Sequence, residues 1–510
     1  MYAQMTGVAL FGLQGMIVQV EVDLANGLPS FDLVGLPDSS VREAKDRVRA
    51  ALRNSGFDFP LQRITANLAP AGLRKEGAGY DLCLALGILA AGGMMQQPLP
   101  EQLAAVAELA LDGTLRPVRG MLSLALAAKE QGVKRLLVAA ENAREAALVG
   151  GVQVYAAGSL REAYEFLNGR KEIAPFAAES AAIAESGGGE DDFSEIKGQP
   201  HVKRALEIAA AGSHNVLLIG PPGSGKTMLA RRLPTILPPL TEAESLEVTQ
   251  VYSVSGLLPR GGTMLRARPY RSPHHTISDG GLIGGGTIPK PGEVTLAHGG
   301  VLFLDELPEF KKSVLEVLRQ PLEDAKVTIA RTQATYTFPS RFLLAAAMNP
   351  CPCGYYGSNY KPCTCTPLQI TRYRSKISGP LLDRIDLHIE VPRVKYHDIK
   401  SEACEETSAK IRERVTAARA LQHTRLKDRA FPWNAAMTSR DIRLHCRLTP
   451  EAESLLEDTF EQLGLSARAY DRILKVARTI ADLEGAADLD IAHIAEAIQY
   501  RGLDRKFWGE

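Results

Sequence analysis

A glycine-rich segment constrains the fold of this 510-residue chain more than any other feature. Its residues are Gly220, Pro221, Pro222, Gly223, Ser224, Gly225, Lys226 and Thr227, which fit the pattern GxxxxGK[ST]. An apolar run at 215–219 precedes the segment and the helical pattern MLARRL follows it, as in a strand, phosphate loop and helix. We therefore expect a parallel α/β core that binds ATP. Backbone N–H groups would wrap the phosphates, Lys226 would reach the β- and γ-phosphates, and the Thr227 hydroxyl would bind Mg²⁺. The alternative is a chance glycine-rich turn.

Two later apolar strands end in polar residues. The run 301–304 is followed by Asp305 and Glu306, and the run 342–347 is followed by Asn349. Because ligands of parallel sheets bind at the carboxyl ends of the strands, we expect Asp305 to hold Mg²⁺ and Glu306 to polarise the attacking water. Asn349 would orient that water. An ordinary turn asparagine before Pro350 is the alternative for Asn349.

Composition changes along the chain predict four segments. Residues 1–170 alternate β-branched runs with helical patterns and indicate an α+β domain. Residues 171–193 are rich in alanine, serine, glycine and acid without an apolar period, which is typical of a linker. Strands and helices alternate over 194–396, as in an α/β core with a parallel sheet, and 397–510 is helical and indicates a small lid.

Charge and hydropathy exclude some classes of partner. The chain has 59 lysine and arginine residues against 59 aspartate and glutamate residues, so contacts with nucleic acid must come from local basic loops. The longest apolar stretch, 82–95, is shorter than the roughly 20 residues that a membrane-spanning helix needs, and we expect it to form a buried helix. The N-terminal residues lack a secretion-signal pattern, so we expect a cytoplasmic protein without a membrane partner.

Five segments together resemble the magnesium-chelatase-like AAA+ proteins of the ComM (YifB) type: GPPGSGKT, VLFLDE, AAMNPCPCG, GPLLDRIDLHIEV and LSARAYDRILKVARTIADLEG. The resemblance spans essentially the whole chain. It implies that Asn349 is the first sensor, that Arg384 is an arginine finger acting on the ATP of a neighbouring subunit, and that Arg468 is the second sensor. Arg472 and Lys475 lie on the same helical face as Arg468 and are alternatives to it. A surface salt bridge is the ordinary role of a single arginine.

The resemblance also implies two structures that face the pore of a ring. One is a helix-2 insertion within 256–300, and the other is a hairpin over 326–338 that precedes the first sensor. We expect DNA contacts from a basic cluster in the insertion and from Arg331 in the hairpin. The insertion cluster consists of Arg266, Arg268, Tyr270, Arg271, His274 and His275. A solvated loop is the alternative interpretation of these residues.

The N-terminal region resembles the Lon-type serine protease domain, through LAPAGLRKEGAGYDLCLALGIL and AELALDGTLRPVRGMLSLALAAKE. A Lon-type protease needs a nucleophilic serine and a lysine that acts as base. The serine position falls near Gly79, and the lysine position falls in 121–124, which contains no lysine. Ser123 as a relocated nucleophile has no evident base beside it. We therefore predict a non-proteolytic module that assists assembly or DNA binding.

Four of the seven cysteines form two CxC pairs within one short segment, namely Cys351, Cys353, Cys363 and Cys365. Four thiols of this kind predict a tetrahedral all-cysteine Zn²⁺ site that would rigidify the loop after Asn349. CxC departs from the usual CxxC spacing, and two pairs of free thiols are the alternative.

The resemblance implies an ATP-dependent, homo-hexameric DNA translocase or helicase. Such a protein would act on single-stranded and branched DNA, together with recombination proteins, and would promote branch migration in homologous recombination during natural transformation. One alternative is a chelatase-type AAA+ motor that remodels a protein partner without DNA, although the chain lacks the DxSxS run of a metal-binding module. The other is an ATP-driven protease, which the missing serine and lysine disfavour.

Overall fold

The computed structural model describes residues 1–72, 74–177, 191–259, 262–286, 289–331, 335–358, 360–394, 396–400, 405–463 and 466–502. These residues form two compact units. The first comprises Met1–Ala184 and Glu242–Leu265, and the second comprises Glu185–Thr241 and Arg266–Glu510. Most of the predicted linker, 178–190, lies outside the described residues. In the described part of the chain, no helix is both long enough and apolar enough to cross a membrane.

The strands, in chain order, are β1 (Tyr2–Phe11), β2 (Gln14–Ala25), β3 (Ser30–Val34), β4 (Arg63–Ala69), β5 (Leu103–Val106), β6 (Glu108–Leu109), β7 (Leu115–Arg116), β8 (Arg135–Ala139), β9 (Gln153–Ala157), β10 (Val216–Ile219), β11 (Tyr270–Arg271), β12 (Gly284–Gly285), β13 (Lys290–Pro291), β14 (Val301–Leu304), β15 (Lys326–Ala330), β16 (Thr335–Pro339), β17 (Leu343–Met348) and β18 (Leu387–Glu390).

The α-helices are α1 (Ser39–Arg42), α2 (Ala44–Asn54), α3 (Asp81–Ala91), α4 (Met121–Glu130), α5 (Ala143–Ala147), α6 (Leu160–Leu167), α7 (Pro200–Gly212), α8 (Lys226–Ile236), α9 (Glu242–Ser255), α10 (Asp279–Ile283), α11 (Glu293–Leu296), α12 (Lys312–Glu316), α13 (Arg319–Asp324), α14 (Pro367–Arg374), α15 (Gly379–Leu382), α16 (Tyr396–Lys400), α17 (Ser408–Arg425), α18 (Ser439–His445), α19 (Pro450–Leu463), α20 (Ala467–Glu484) and α21 (Ile491–Gln499).

The first unit is built on a mixed seven-stranded sheet in the order β3-β4-β2-β1-β5-β8-β9. β1 and β2 form an antiparallel hairpin, and β5, β8 and β9 run parallel. Successive residues of β5 point to opposite faces, so that Ala105 joins the core around α3 and Val106 joins the core around α4. α3 is buried along nearly its whole length. The prediction that the apolar stretch 82–95 forms a buried helix is therefore confirmed for 82–91, whereas 92–95 follow the helix.

Helix α9 belongs to the first unit, although its sequence lies inside the predicted ATPase region. It packs against α4, where the N–H of Gly120 donates to the carbonyl of Ser253 at 3.3 Å. The Gln250 amide donates to the carbonyl of Leu13 at 2.8 Å. The buried Glu145 carboxylate accepts from the Ser253 hydroxyl and from the N–H of Leu122. The segment 242–265 thus differs from the predicted segmentation because its partners, distant in sequence, lie in the N-terminal region.

The second unit has an all-parallel five-stranded sheet in the order β11-β14-β17-β10-β18. β10, β14 and β17 are buried at every position, as expected for parallel strands that are covered on both faces. The helices α17, α20 and α21 pack with α7 and α8 in the same core as the sheet. Ile219 pairs with Met348, and Leu304 pairs with Ala346, so the residues that follow these three strands meet at one edge.

Two small hairpins extend from the second unit. β15 pairs antiparallel with β16, with Val327 opposite Phe338, as the sequence predicts, while 332–334 lie outside the described residues. β12 pairs with β13, and Gly284 of β12 lies beside Ile329 of β15. The observed architecture confirms the predicted α/β fold class, with an N-terminal α+β region, a parallel-sheet core and C-terminal helices.

Candidate nucleotide-binding site

The glycine-rich segment forms a loop between β10 and α8. Gly223 and Gly225 adopt the left-handed backbone conformation, with φ of +75° and +88°. Residues that carry a side chain rarely adopt this conformation. A Cβ atom at Gly220 would lie 2.2 Å from the carbonyl oxygen of Val391, so this position requires glycine. The loop borders an open pocket of about 370 Å³, which is also lined by Asp305, Glu306, Met348 and Asn349.

Lys226 begins α8 and its side chain is buried against the loop. Its ammonium donates to the carbonyl oxygens of Gly220 at 2.8 Å and Pro221 at 3.0 Å, and to Asn349 Oδ1 at 3.2 Å. Burial lowers the pKa of Lys226, and the charges of Asp305 and Glu306 act in the opposite direction. The ammonium is therefore held at the pocket by neutral oxygens, an arrangement that suits an anionic phosphate.

Thr227 and Asp305 present hard oxygen atoms to the same pocket. Thr227 Oγ1 donates to Asp305 Oδ2 at 2.7 Å, and Asp305 Oδ1 accepts from the N–H of Glu306 at 2.9 Å. Mg²⁺ prefers such oxygen ligands and is usually bound by one or two protein groups together with substrate phosphates. The residues present fit a Mg²⁺ ion held with a nucleotide.

Glu306 has a strained backbone and an exposed side chain. Its φ is +52°, a conformation that costs a non-glycine residue about 1–2 kcal/mol and that clusters at functional sites. Its carboxylate lies 3.6 Å from Nδ1 of His275, whose ring is tilted against that of His274 with centroids 4.1 Å apart. The sequence did not predict this contact, because the two residues are distant along the chain.

Asn349 follows the fully buried strand β17. Its side-chain oxygen accepts from the Lys226 ammonium. The structure therefore brings Lys226, Thr227, Asp305, Glu306 and Asn349 together around one pocket, although the first and the last of them are more than a hundred positions apart in the sequence.

Neither of the two predicted catalytic arginines is among the described residues that line this pocket. The Arg384 guanidinium is hydrogen-bonded to Glu323 and to the carbonyl of Pro380, and its Nε has no hydrogen-bond partner among the described residues. Arg468 lies in the first turn of α20, is largely exposed, and its Nη1 is 3.5 Å from Asp383 Oδ2. Their roles as finger and sensor stay predictions.

The alternatives to Arg468 are more buried. Arg472 Nε lies 3.5 Å from Asp386 Oδ1, and the Lys475 ammonium donates to the carbonyl of Ala435 at 3.0 Å. Burial lowers the pKa of Lys475. Of the three residues, Arg468 has the most exposed side chain.

Three residues of the predicted DNA-binding cluster are held within their own unit. Arg268 donates to the carbonyls of Pro238 and Gly299. Arg271 forms a bidentate pair with Glu293 at 2.6 and 2.7 Å. Tyr270 belongs to β11 and stacks on Phe303 with ring centroids 6.2 Å apart, and burial raises the pKa of Tyr270 to about 12. These three side chains have partners within the chain, whereas Arg266 and Arg331 are exposed. The DNA-binding roles of the cluster stay predictions.

The four cysteine thiols converge. The Sγ atom of Cys351 lies 3.3 Å from that of Cys353 and 3.6 Å from that of Cys363, and all four Sγ atoms lie within 4.8 Å of one another. The four are free thiols. Burial acts to raise the pKa of Cys353, but hydrogen bonds from neighbouring backbone N–H groups lower it to about 5.

The positions that correspond to a Lon-type catalytic pair carry no accessible nucleophile. Gly79 lies beside Val106 and Val118. Ser123 is buried in α4, and its hydroxyl has no hydrogen-bond partner among the described residues. Lys75 is also buried, and its ammonium donates to the carbonyl of Pro70.

Comparison with known proteins identifies the family. The model described as "Magnesium chelatase, subunit ChlI" matches residues 192–399, "Subunit ChlI of Mg-chelatase" matches 20–142, and the ChlI C-terminal model matches 405–501. The chain is 47% identical over 503 residues to competence protein ComM of Haemophilus influenzae, which covers 98% of this chain and 97% of that protein. It is 45% identical over 502 residues to the uncharacterized protein YifB of Salmonella typhimurium, covering 98% of this chain and 96% of YifB.

A shorter similarity links the chain to a protease. Lon protease 2 of Bacillus subtilis is 35% identical over 147 residues, which is 26% of each chain, in agreement with the Lon-like N-terminal region. The match to the AAA+-like chelatase family implies the use of nucleotide and Mg²⁺ and is consistent with ATPase activity. The chain therefore belongs to the ComM/YifB family of magnesium-chelatase-like proteins.

Proposed function

We propose that this protein is a Mg²⁺-dependent ATPase that works as a homo-hexameric ring on single-stranded and branched DNA. It promotes branch migration in homologous recombination during natural transformation. The observation that carries the ATPase part is the meeting of Lys226, Asp305, Glu306 and Asn349 around one open pocket. The transformation context is supported by the name of a relative with 47% identity, a competence protein.

Each side chain in the pocket has a distinct role in hydrolysis. Lys226 binds the β- and γ-phosphates, for which it exchanges its present carbonyl partners. Thr227 and Asp305 hold Mg²⁺, which neutralises charge on the phosphates when bound. The exposed Glu306 carboxylate polarises the attacking water, and the Asn349 amide orients it.

The ring is inferred from the positions of the arginines. Arg384 and Arg468 lie outside the pocket lining of their own chain, and a finger supplied in trans requires a neighbouring subunit. To act on that neighbour, Arg384 exchanges its ion pair with Glu323 for the charge of the transferring phosphoryl group. Arg468 likewise leaves Asp383, a contact that exposure makes weak.

DNA contact is assigned to the exposed basic residues. Arg331 follows β15, and its guanidinium lies beside Gly285, which pairs with Lys290 in the neighbouring hairpin. Arg331, Lys290 and Arg266 are exposed. Because the chain carries equal numbers of acidic and basic residues, such local clusters supply the attraction to phosphate. Recombination proteins act on the same DNA as partners.

A second candidate is a chelatase-type AAA+ motor that remodels a protein partner without DNA. The match of three chelatase family models along the chain favours it. It uses the same nucleotide pocket, so the two candidates differ only in what stimulates turnover.

The test measures ATP turnover of the full chain with and without single-stranded, duplex and forked DNA at two salt concentrations. Stimulation by DNA that weakens with salt is the expected result, because phosphate contacts release counterions. Arg331→Ala should lower the stimulation by DNA. Its turnover measured without DNA is the internal control and should not change. Turnover that is indifferent to every DNA would overturn the DNA part and favour the remodelling motor.

A further inference from the structure

We propose that Cys351, Cys353, Cys363 and Cys365 bind one Zn²⁺ ion, and that this ion holds the loop 351–365 against the phosphate-binding loop and positions Asn349. The role of Asn349 rests on the proposed ATPase function. Metal binding does not depend on that function and is measured separately.

The thiol geometry fits a single tetrahedral ion. With a Zn–S bond of about 2.3 Å, two sulfurs of a tetrahedral site lie about 3.8 Å apart. The separations of 3.3 and 3.6 Å from Cys351, 3.6 Å between Cys353 and Cys363, and the limit of 4.8 Å for all four are close to this edge length. A disulfide would require about 2.05 Å.

The backbone around the cluster points N–H groups at the sulfurs. Backbone N–H groups donate to three of the sulfurs: Tyr356 N–H to Cys351 at 3.3 Å, Cys353 N–H to Cys365 at 3.3 Å, and Cys365 N–H to Cys363 at 3.4 Å. Such N–H···S contacts orient metal ligands and are the usual second set of interactions around a metal.

One cation lies near the cluster. The charge of Arg374 interacts with Cys351, and Arg374 Cζ lies 4.9 Å from the ring centre of Tyr356, whose N–H donates to Cys351. Four thiolates around one divalent ion leave a net charge of −2, which this cation partly offsets.

The cluster joins the end of β17 to the start of α14. Cys351 follows Asn349 and Pro350, and Cys365 precedes the N-cap residue of α14. The buried Arg374 at the end of α14 donates to the carbonyl of Pro350 at 3.2 and 3.1 Å. A metal bound here closes the loop at the point where the Asn349 side chain enters the pocket.

The same loop lies on the phosphate-binding loop. Gly354 has a φ of +83°, and a Cβ atom there would lie 2.5 Å from Pro222 Cδ and 2.8 Å from its Cγ. Gly357 has a similar φ of +76°, but a Cβ atom at this position would meet no atom within 4 Å. The close approach at Gly354 therefore reflects contact with Pro222, whereas the backbone conformation is common to both positions.

The experiment compares zinc content and ATP kinetics of the full chain, purified under reducing conditions. The unaltered protein should contain one zinc per chain by elemental analysis, and Co²⁺ in its place should give the absorption of a tetrahedral thiolate site. C363S/C365S should lose the metal, whereas Cys446→Ala, which removes a buried thiol elsewhere, should keep it. Iron with sulfide, or no metal and no response to Co²⁺, would overturn the proposal.

Positioning is tested with the glycine pair, which avoids the risk that a metal-free variant fails to fold. Gly354→Ala should keep zinc but lower kcat by about tenfold or more, because the added Cβ displaces Pro222 and small displacements of positioned groups have effects of this size. Gly357→Ala carries similar backbone strain and should keep kcat closer to normal. Equal kcat in the two variants would overturn the proposal that the cysteine loop positions Asn349 through its contact with Pro222. Zinc bound by a protein without any ATP turnover would instead contradict only the proposed ATPase function.

Discussion

A buried ion pair of the N-terminal unit contrasts with the charged side chains that line the pocket of the second unit. In the N-terminal unit, the carboxylate of Asp81 is met by Arg47 and by the N–H of Leu109, and the ammonium of Lys75 by a backbone carbonyl. In the second unit, Lys226 and Glu306 border an open pocket. Charges whose partners all lie in the chain stabilise a fold, whereas charges that face a pocket remain available to a ligand. The contrast supports the proposal that the Lon-like region serves as a scaffold and that the P-loop region carries the chemistry.

The largest difference in effect is expected between two buried lysines, one in each unit. Lys226→Ala should abolish ATP binding and turnover, because the loop loses the cation that reaches the phosphates. Lys75→Met should leave ATP binding and turnover unchanged, since the Lys75 ammonium donates to the carbonyl of Pro70 within the N-terminal unit. Nucleotide binding and phosphate release check the two variants. If Lys75→Met removed turnover while the protein stayed folded, the division of labour between the units would be wrong.

The second prediction concerns Arg384, which pairs with Glu323 in its own chain. Arg384→Ala should lower kcat by about a thousandfold, the scale of an arginine finger. Mixing it with Lys226→Ala subunits should restore part of the turnover, because each Lys226→Ala subunit offers an intact Arg384 to a neighbour that binds ATP. Turnover of the mixture against its mixing ratio measures the rescue. Turnover that stays at the level of the separate variants would contradict a finger in trans.

Glu306 distinguishes hydrolysis from binding within the same pocket. Glu306→Gln should retain ATP, because Lys226, Thr227 and Asp305 remain, and should lower kcat by about a hundredfold or more through loss of the water-polarising group. Retained ATP should also trap the ring, which sedimentation with ATP detects. Normal hydrolysis by this variant would exclude Glu306 as the base.

Contiguous motifs explain what the sequence could predict. The P-loop is one segment between a strand and a helix, and Asp305, Glu306 and Asn349 follow apolar strands, so their meeting at one sheet edge follows from parallel topology. The hairpin of β15 and β16 was implied by the family resemblance and is formed in the structure.

Partners that are distant in sequence explain the rest. Arg268 and Arg271 look like free basic residues, but their charges are met by the carbonyls of Pro238 and Gly299 and by Glu293. The placement of α9 beside α4 depends on contacts with residues more than a hundred positions away. The spacing of the cysteines permitted several arrangements, and only the folded loop brings the four sulfurs together.

The smallest effect on activity, and a clear effect on stability, is expected at Arg47. Its guanidinium holds the buried Asp81 carboxylate at 2.7 and 3.0 Å. Arg47→Ala should lower the free energy of unfolding by about 3 kcal/mol by leaving that carboxylate unpaired, while ATP turnover stays normal. Arg53→Ala, an exposed arginine on the same helix, is the matched control.

The pH dependence of the Arg47→Ala defect separates loss of charge pairing from loss of packing. Burial already raises the pKa of Asp81 although Arg47 opposes it, and without Arg47 the folded-state pKa rises further above the unfolded value. The added destabilisation should therefore be full above the folded-state pKa of the variant. It should disappear as the pH falls below the folded-state pKa of the unaltered protein, where Asp81 is protonated in both folded proteins. Asp81→Asn should remove most of the defect in the double variant at neutral pH, because an amide can still accept from Leu109 without a buried charge. A pH-independent defect that Asp81→Asn leaves unchanged would mean that Arg47 contributes packing rather than charge, and that the N-terminal unit does not neutralise its buried acid as the comparison of the two units requires.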